Sequence, residues 1–202
     1  MKQIAKFSIF LIPVGVAVNF VGAQIAMLLK LPIYLDAIGT FVVGALCGGI
    51  PGAIVGVVSN TINSITYPTY MWYGIISLIY GFLAAYLSRK GVFTSLWKTI
   101  LAALLFALIG GTLNSCITWI LFGFDFATDV TAIFGLMLYN NLGFPKFLAE
   151  LIAAIVMDVA DKVISLIAMF FVLRSMPNRF LTKLKLGEVY IKNVEDDEKA
   201  EE

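Results

Sequence analysis

Apolar residues run along this chain in stretches of about 20, broken by short polar or aromatic segments, the pattern of membrane-crossing helices. The first stretch covers 4–28. The next two, roughly 33–49 and 52–66, are short for a ~30 Å hydrocarbon core. They meet at Gly48-Gly49-Ile50-Pro51-Gly52, where glycine and proline punctuate the helical pattern. A fourth stretch runs roughly over 72–88 and ends at Arg89-Lys90-Gly91, a fifth over 97–121 and a sixth over 147–173. The connection 122–146 has an apolar middle, Val130 to Tyr139, that suits a short interfacial or re-entrant helix. The pattern therefore predicts an all-α integral membrane protein with six transmembrane helices over 1–175. A tail follows over 176–202, basic first and acidic last, and its acidic end has the composition of a disordered, solubilising segment.

Glycine recurs at Gly44, Gly48, Gly52 and Gly56. Four-residue spacing gathers small residues on one helix face, where backbones approach closely in lipid. The hairpin over 33–66 thus reads as a glycine-packed unit. Its polar residues, Asp36 before it and Ser59, Asn60, Thr61 and Asn63 near its end, lie away from the turn.

Basic residues orient the bundle. With six crossings both termini share a side, which carries Lys2, Lys6, Arg89, Lys90, Lys98, Arg174, Arg179, Lys183 and Lys185, against Lys30 and Lys146 on the other. Such a bias predicts cytoplasmic termini in the cell membrane. The segments 31–36, 67–73 and 122–146 then face outside. Val21-Gly22-Ala23 would pass as a signal-peptidase site, but the apolar run before it, about 17 residues, is long for a signal peptide, so α-helical retention is expected.

Composition narrows the chemistry. The chain is 60% hydrophobic and 13% charged, with mean hydropathy +0.95. A net charge of +1 leaves no electrostatic footprint for nucleic acid. Histidine is absent, and Cys47 and Cys116 lie inside apolar runs, so neither a disulfide framework nor a metal site is expected. No nucleophile–base set is apparent, so neither an enzyme nor a resident cofactor is expected.

The segment LPIYLDAIGTFVVGALCGGIPGAIVGVVSN, the six spans and Asp158-Val159-Ala160-Asp161-Lys162 in the last span together resemble the substrate-capture (S) component of an energy-coupling factor vitamin transporter. The resemblance covers about residues 5–178. It implies a six-helix protein that binds a vitamin-like nutrient near the outer surface, then associates with a membrane coupling protein and two cytoplasmic ATPases. The chain has no GxxxxGK[ST] phosphate loop, so ATP hydrolysis would belong to other chains. Family members dock the coupling protein through small residues at four-residue spacing in the first span. The corresponding positions are Gly15, Asn19, Gly22, Ala23 and Ala26, which either dock that partner or pack within the chain.

Candidate substrate-binding residues are Tyr34, Asp36, Asn63, Trp72, Tyr73, Asn114, Glu150 and Asp158. Asn114 either makes an interhelical hydrogen bond or contacts ligand. Glu150, one turn into the last span, either reaches interfacial water or receives a ligand amine or amide. Asp36 opens the second span as a helix N-cap or a ligand group. Trp72 and Tyr73 form a membrane belt or stack on a flat ring. Asp158 and Lys162, four apart, can pair along the helix. Asp161 and Lys162 read as a structural ion pair or a contact with the coupling protein, and Asp158 could floor a pocket. These groups suit a nitrogen-rich heteroaromatic such as a flavin, pyrimidine, thiamin-like or deazapurine compound. The alternative function is a membrane sensor or anchor of a signalling system, which the short stretch after Arg174 does not favour. A secondary transporter would normally repeat its broken helices in both halves, and the glycine hairpin has no counterpart in the second.

Overall fold

The computed structural model describes residues 2–127 and 130–191. Among these the chain is helical, with α1 (Lys2–Leu28), α2 (Ile38–Cys47), α3 (Gly49–Asn63), α4 (Tyr70–Arg89), α5 (Leu96–Leu121), α6 (Val130–Leu142), α7 (Lys146–Ser175) and α8 (Asn178–Leu181), plus a 3₁₀ turn at Val92–Thr94. Three helical stretches, Ile9–Leu28, Tyr70–Arg89 and Leu96–Leu121, are long and apolar enough to cross a membrane. Phe10, Val14, Val18, Val21, Ile25 and Leu28 make an exposed apolar stripe along α1. That is the face a helix turns to lipid.

The hairpin is tighter than its hydropathy implies. The expected span 33–49 shrinks to α2, with 10 residues, and the expected span 52–66 keeps its length but starts earlier, as α3, with 15. At 1.5 Å per residue these are ~15 Å and ~22 Å long, each less than the ~30 Å core. The shortening has a cause. The amides of Tyr34 and Leu35 donate to Asp161 Oδ1 at 2.9 and 2.8 Å, which holds them out of any helix. Leu35 also takes a positive φ of 53°. Across 122–146 a short helix forms where the apolar middle predicts one.

α2 is the centre of the bundle. It packs against α1, α3, α4 and α7, and only Ile38 and Val42 of its residues are not buried. Glycine is what permits this density. A Cβ on Gly52 would lie 2.6 Å from the Gly44 Cα and 3.1 Å from the Gly81 Cα of α4. One on Gly56 would lie 2.6 Å from the Ser77 Cβ. So Gly44, Gly52 and Gly56 are packing residues, and Gly81 joins them. Gly48 differs. It forms the whole turn, at φ 105° and ψ 174°, with only Lys185 near its open side. On the far face, Asn19 of α1 donates to Thr40 Oγ1 and Ser59 Oγ and accepts from the Gly39 amide, so one amide side chain ties three helices.

Residues after α7 belong to the same body. Leu181, Leu184 and Tyr190 are buried in the main core. The end of α2 leaves carbonyls without intrahelical partners, and the tail and α4 serve them. The Leu186 amide donates to Leu46 O at 2.9 Å, and Ser88 Oγ donates to Ala45 O at 2.7 Å. Having used its proton there, Ser88 accepts from the Tyr190 hydroxyl. The expected division at residue 175 thus falls inside continuous packing. The acidic end, 192–202, lies outside the described residues.

Two glycine replacements separate these roles. Gly52→Leu forces a branched side chain against two backbones, so its cost exceeds the about 1–3 kcal/mol typical of an overpacked core. Gly48→Ala meets only the Lys185 side chain, at an ordinary contact distance of 3.8 Å, and incurs only backbone strain, about 1–3 kcal/mol. Thermal melting in detergent should rank Gly52→Leu well below Gly48→Ala. Wild-type melting of Gly52→Leu would contradict the packing described here.

Candidate functional site

A cavity of about 530 Å³ opens between the 29–37 loop and helices α1, α3, α4, α5, α6 and α7. Its size falls within the range of small-molecule sites, about 300–1,000 Å³. Its deepest lining residues are Tyr80, Gly110, Asp158 and Lys162, each near the middle of its helix. Asn60, Tyr73, Ser77 and Asn114 line its sides, and Lys30, Tyr67, Tyr70, Phe122, Val130 and Thr131 its mouth. It opens at the end of the bundle opposite the Gly48 turn.

The floor is built from charge. Lys162 Nζ lies 2.5 Å from Asp161 Oδ2 and 3.3 Å from Asp158 Oδ1. Asp158, Asp161 and Lys162 are all at least 97% buried, at 3%, 0% and 3% exposure. Burying an ion costs several kcal/mol unless it is paired and hydrogen-bonded. Asp161 meets that condition with three donors, Lys162 and the amides of Tyr34 and Leu35. It thereby fastens the 29–37 loop to α7. Asp158 Oδ2 accepts from the Tyr80 hydroxyl at 3.2 Å, a proton also directed at Phe106 O. Gly110 makes room for this, because a Cβ there would collide with the Tyr80 hydroxyl. Phe41, Tyr80 and Phe106 form an aromatic triangle beneath, with centroids 4.9–5.4 Å apart.

Above the floor runs a hydroxyl–amide network. Tyr34 OH pairs with Thr131 Oγ1 of α6 at 2.9 Å and lies 3.5 Å from Asn114 Nδ2. Thr118 Oγ1 donates to Asn114 Oδ1 at 3.2 Å, and Tyr73 OH then donates to Thr118 at 2.8 Å. The loop, α4, α5 and α6 are joined through this chain of groups. The approach to α7 is fixed outside it by an exposed pair, Lys146 to Asp125, 2.7 Å apart. The Lys146 ammonium holds the Asp125 carboxyl below its ordinary value.

Of the sequence-predicted ligand residues, Tyr34, Asp36, Tyr73, Asn114 and Asp158 line the cavity. Asn63, Trp72 and Glu150 are not among its lining residues. Asn63 is buried at the end of α3, where its carbonyl accepts from Thr66 and Tyr67. Trp72 is 57% exposed on the outer face of α4, as an interfacial belt residue would be. Glu150 is buried on α7, its carboxylate close to Gly135 of α6. Asp36 is not an N-cap, because α2 begins two residues after it, at Ile38, with Ala37 at the cap position and no side-chain cap bond. Of the expected docking positions, Gly15, Asn19, Ala23 and Ala26 are buried within this chain and Gly22 is half-buried. A Cβ on Gly15 would press on Val43 and Val55, and one on Gly22 on the Leu35 carbonyl. These residues are used for internal packing, and the exposed face of α1 is its apolar stripe.

Tyr80, Tyr70, Ser77 and Thr131 are cavity residues that the hydropathy pattern passes over. A signal for most of them exists. Tyr70, Tyr73, Ser77 and Tyr80 recur at spacings of three and four, a polar stripe down one face of α4. Asp161 and Lys162 form the structural ion pair that the sequence offers for them, although they are adjacent on the helix and such neighbours do not ordinarily face each other. Among the described residues the arrangement is suited to binding, with rings and oxygen acceptors turned on an enclosed space. In comparisons with protein-family models, with curated proteins and with solved structures, nothing matches this chain.

Asp161→Ala tests the fastening of the loop. It leaves buried Lys162 with one carboxylate and should lower stability by about 3–5 kcal/mol. Hydrogen exchange at the Tyr34 and Leu35 amides should accelerate far more than at the middle of α5. Unchanged protection at those two amides would contradict the role given to Asp161.

Proposed function

We propose that this chain is the substrate-capture subunit of an energy-coupled importer, holding a vitamin-like heteroaromatic nutrient in the cavity for ATP-driven uptake. The observation that carries the reading is the cavity itself. It is enclosed by helices of a membrane protein, lined by Tyr34, Tyr70, Tyr73 and Tyr80, and supplied with a few fixed polar groups. Small-molecule sites are built this way, mostly apolar with few orienting groups.

In this reading the polypeptide crosses the bilayer six times, the α2–α3 hairpin counting as two short crossings, and both termini are cytoplasmic. Support comes from charge distribution. Arg89, Lys90, Lys98, Arg174 and Lys185 stand at the Gly48 end of the bundle, Lys30 and Lys146 at the cavity end. The positive-inside bias then turns the cavity outward. A membrane coupling protein and two ATPases, in other chains, would supply the energy. The chain itself performs no chemistry on its ligand, so binding requires no partner, whereas uptake does.

Two measurements test this. In a background with Cys47 and Cys116 replaced by Ser, Thr66→Cys should react with an impermeant thiol reagent on intact cells and Lys90→Cys should not. The reverse pattern would turn the cavity inward and end the capture reading. For binding, Asn114→Leu removes an amide from the wall without touching the floor. Isothermal titration of the purified chain with the molecule that copurifies with it should show affinity reduced about tenfold to a hundredfold, the cost of losing a buried hydrogen-bond partner. Wild-type affinity in that variant, or no binding by the chain alone, would contradict the assignment.

A further inference from the structure

We infer that the cavity selects a cationic, N–H-donating heteroaromatic, such as a protonated aminopyrimidine or an amidinium-bearing ring. The inference rests on the capture reading above and adds to it the charge and donor pattern of the ligand.

Three features of the cavity lead to this class. The first is an unserved acceptor. Asn60 lines the cavity and is 3% exposed, yet its Oδ1 has no hydrogen-bond partner. Its Nδ2 donates to Gly56 O at 3.0 Å and Ser77 Oγ at 2.7 Å. Flipping the amide would oppose Oδ1 to the Gly56 carbonyl, so this orientation is fixed. A buried acceptor left unmade is costly, and a ligand N–H removes that cost.

The second is an excess of carboxylate. Asp36 lines the cavity and makes no ion pair among the described residues, and Lys162 is already engaged by Asp158 and Asp161. Three carboxylates thus face one ammonium. The other lining cation, Lys30, is exposed at the mouth. A ligand cation completes the balance, and an anion would add to the excess. The third is aromatic. Lys162 Nζ already sits 5.2 Å from the Tyr80 ring centroid and 5.8 Å from that of Tyr34. The tyrosines therefore stand where cation–π attraction operates, within about 6 Å.

Three probes of one shape isolate the charge: benzamidinium, benzamide and benzoate. Binding to the purified full chain in detergent is read by saturation-transfer NMR, with melting measured in parallel. Wild type should bind benzamidinium at least about tenfold more tightly than benzamide, as a desolvated charge pair allows, and should not bind benzoate. Asp36→Asn keeps the side chain's shape and should erase most of that preference while melting as wild type does. Equal affinity for benzamide and benzamidinium, preference for benzoate, or an undiminished preference in Asp36→Asn overturns the inference. So does failure to bind any of the three. Each of these results concerns the class of ligand. The capture reading fails separately, if the chain binds no copurifying molecule.

Discussion

A buried lysine held by two carboxylates is the interaction on which the rest of the cavity depends. Lys162 cannot sit in the middle of α7 alone, because an unpaired ion there would cost several kcal/mol. Its partners each do a second job. Asp158 reaches Tyr80 on α4, and Asp161 binds the backbone of Tyr34 and Leu35. The first bond sets the depth of the cavity, since Tyr80 and Asp158 are its floor. The second prevents residues 31–37 from extending α2, and so leaves Tyr34 and Asp36 at the wall instead of on a helix. Without Asp161, α2 could lengthen toward the span that hydropathy alone suggests, and the cavity would lose that wall.

The glycine contacts make the opposite contribution. Where Gly44, Gly52 and Gly81 meet, backbones touch and no space remains. Dense packing at the turn end and an open volume at the other end follow from the same helices, because side chains grow larger away from the turn. α3 and α4 approach through Gly52–Gly81 and Gly56–Ser77, then part around Asn60, Tyr73 and Tyr70. The tail reinforces the closed end. Leu186 of the tail and Ser88 of α4 serve the carbonyls of Leu46 and Ala45 at the end of α2, and Tyr190 of the tail holds Ser88, so the tight turn is capped by residues distant in sequence.

Much of this is legible in the sequence where one helix suffices to state it. Apolar runs give α1, α4 and α5, four-residue glycine spacing gives the packing face of the hairpin, and the i,i+4 pair Asp158–Lys162 is found at 3.3 Å. Tyr34, Asp36, Tyr73, Asn114 and Asp158 could be picked out because each is a polar or aromatic group at the edge of, or inside, an apolar run. What escaped depends on contacts between elements. Nothing local states that Asp161 binds two amides 126 and 127 residues earlier, so the sequence places a loop at 31–36 but starts the following span too early, at about residue 33. The small residues of α1 have the spacing of a docking face, and only the nearness of Leu35, Val43 and Val55 identifies them as internal. Trp72 and Tyr73 are neighbours with equal claims in sequence; a rotation of about 100° per residue puts one outside and the other inside.

The central claim is that the space above Lys162 is occupied by a small molecule when the protein works. Native mass spectrometry of the full chain, purified alone in detergent from cells grown in rich medium, addresses it most directly. The account predicts one small molecule per chain, released on activation. It also predicts that the same preparation of Gly110→Leu, whose added side chain fills the floor beside Tyr80 and Asp158, carries none. A folded wild-type chain that arrives empty and stays empty across a mixture of heteroaromatic nutrients would contradict it.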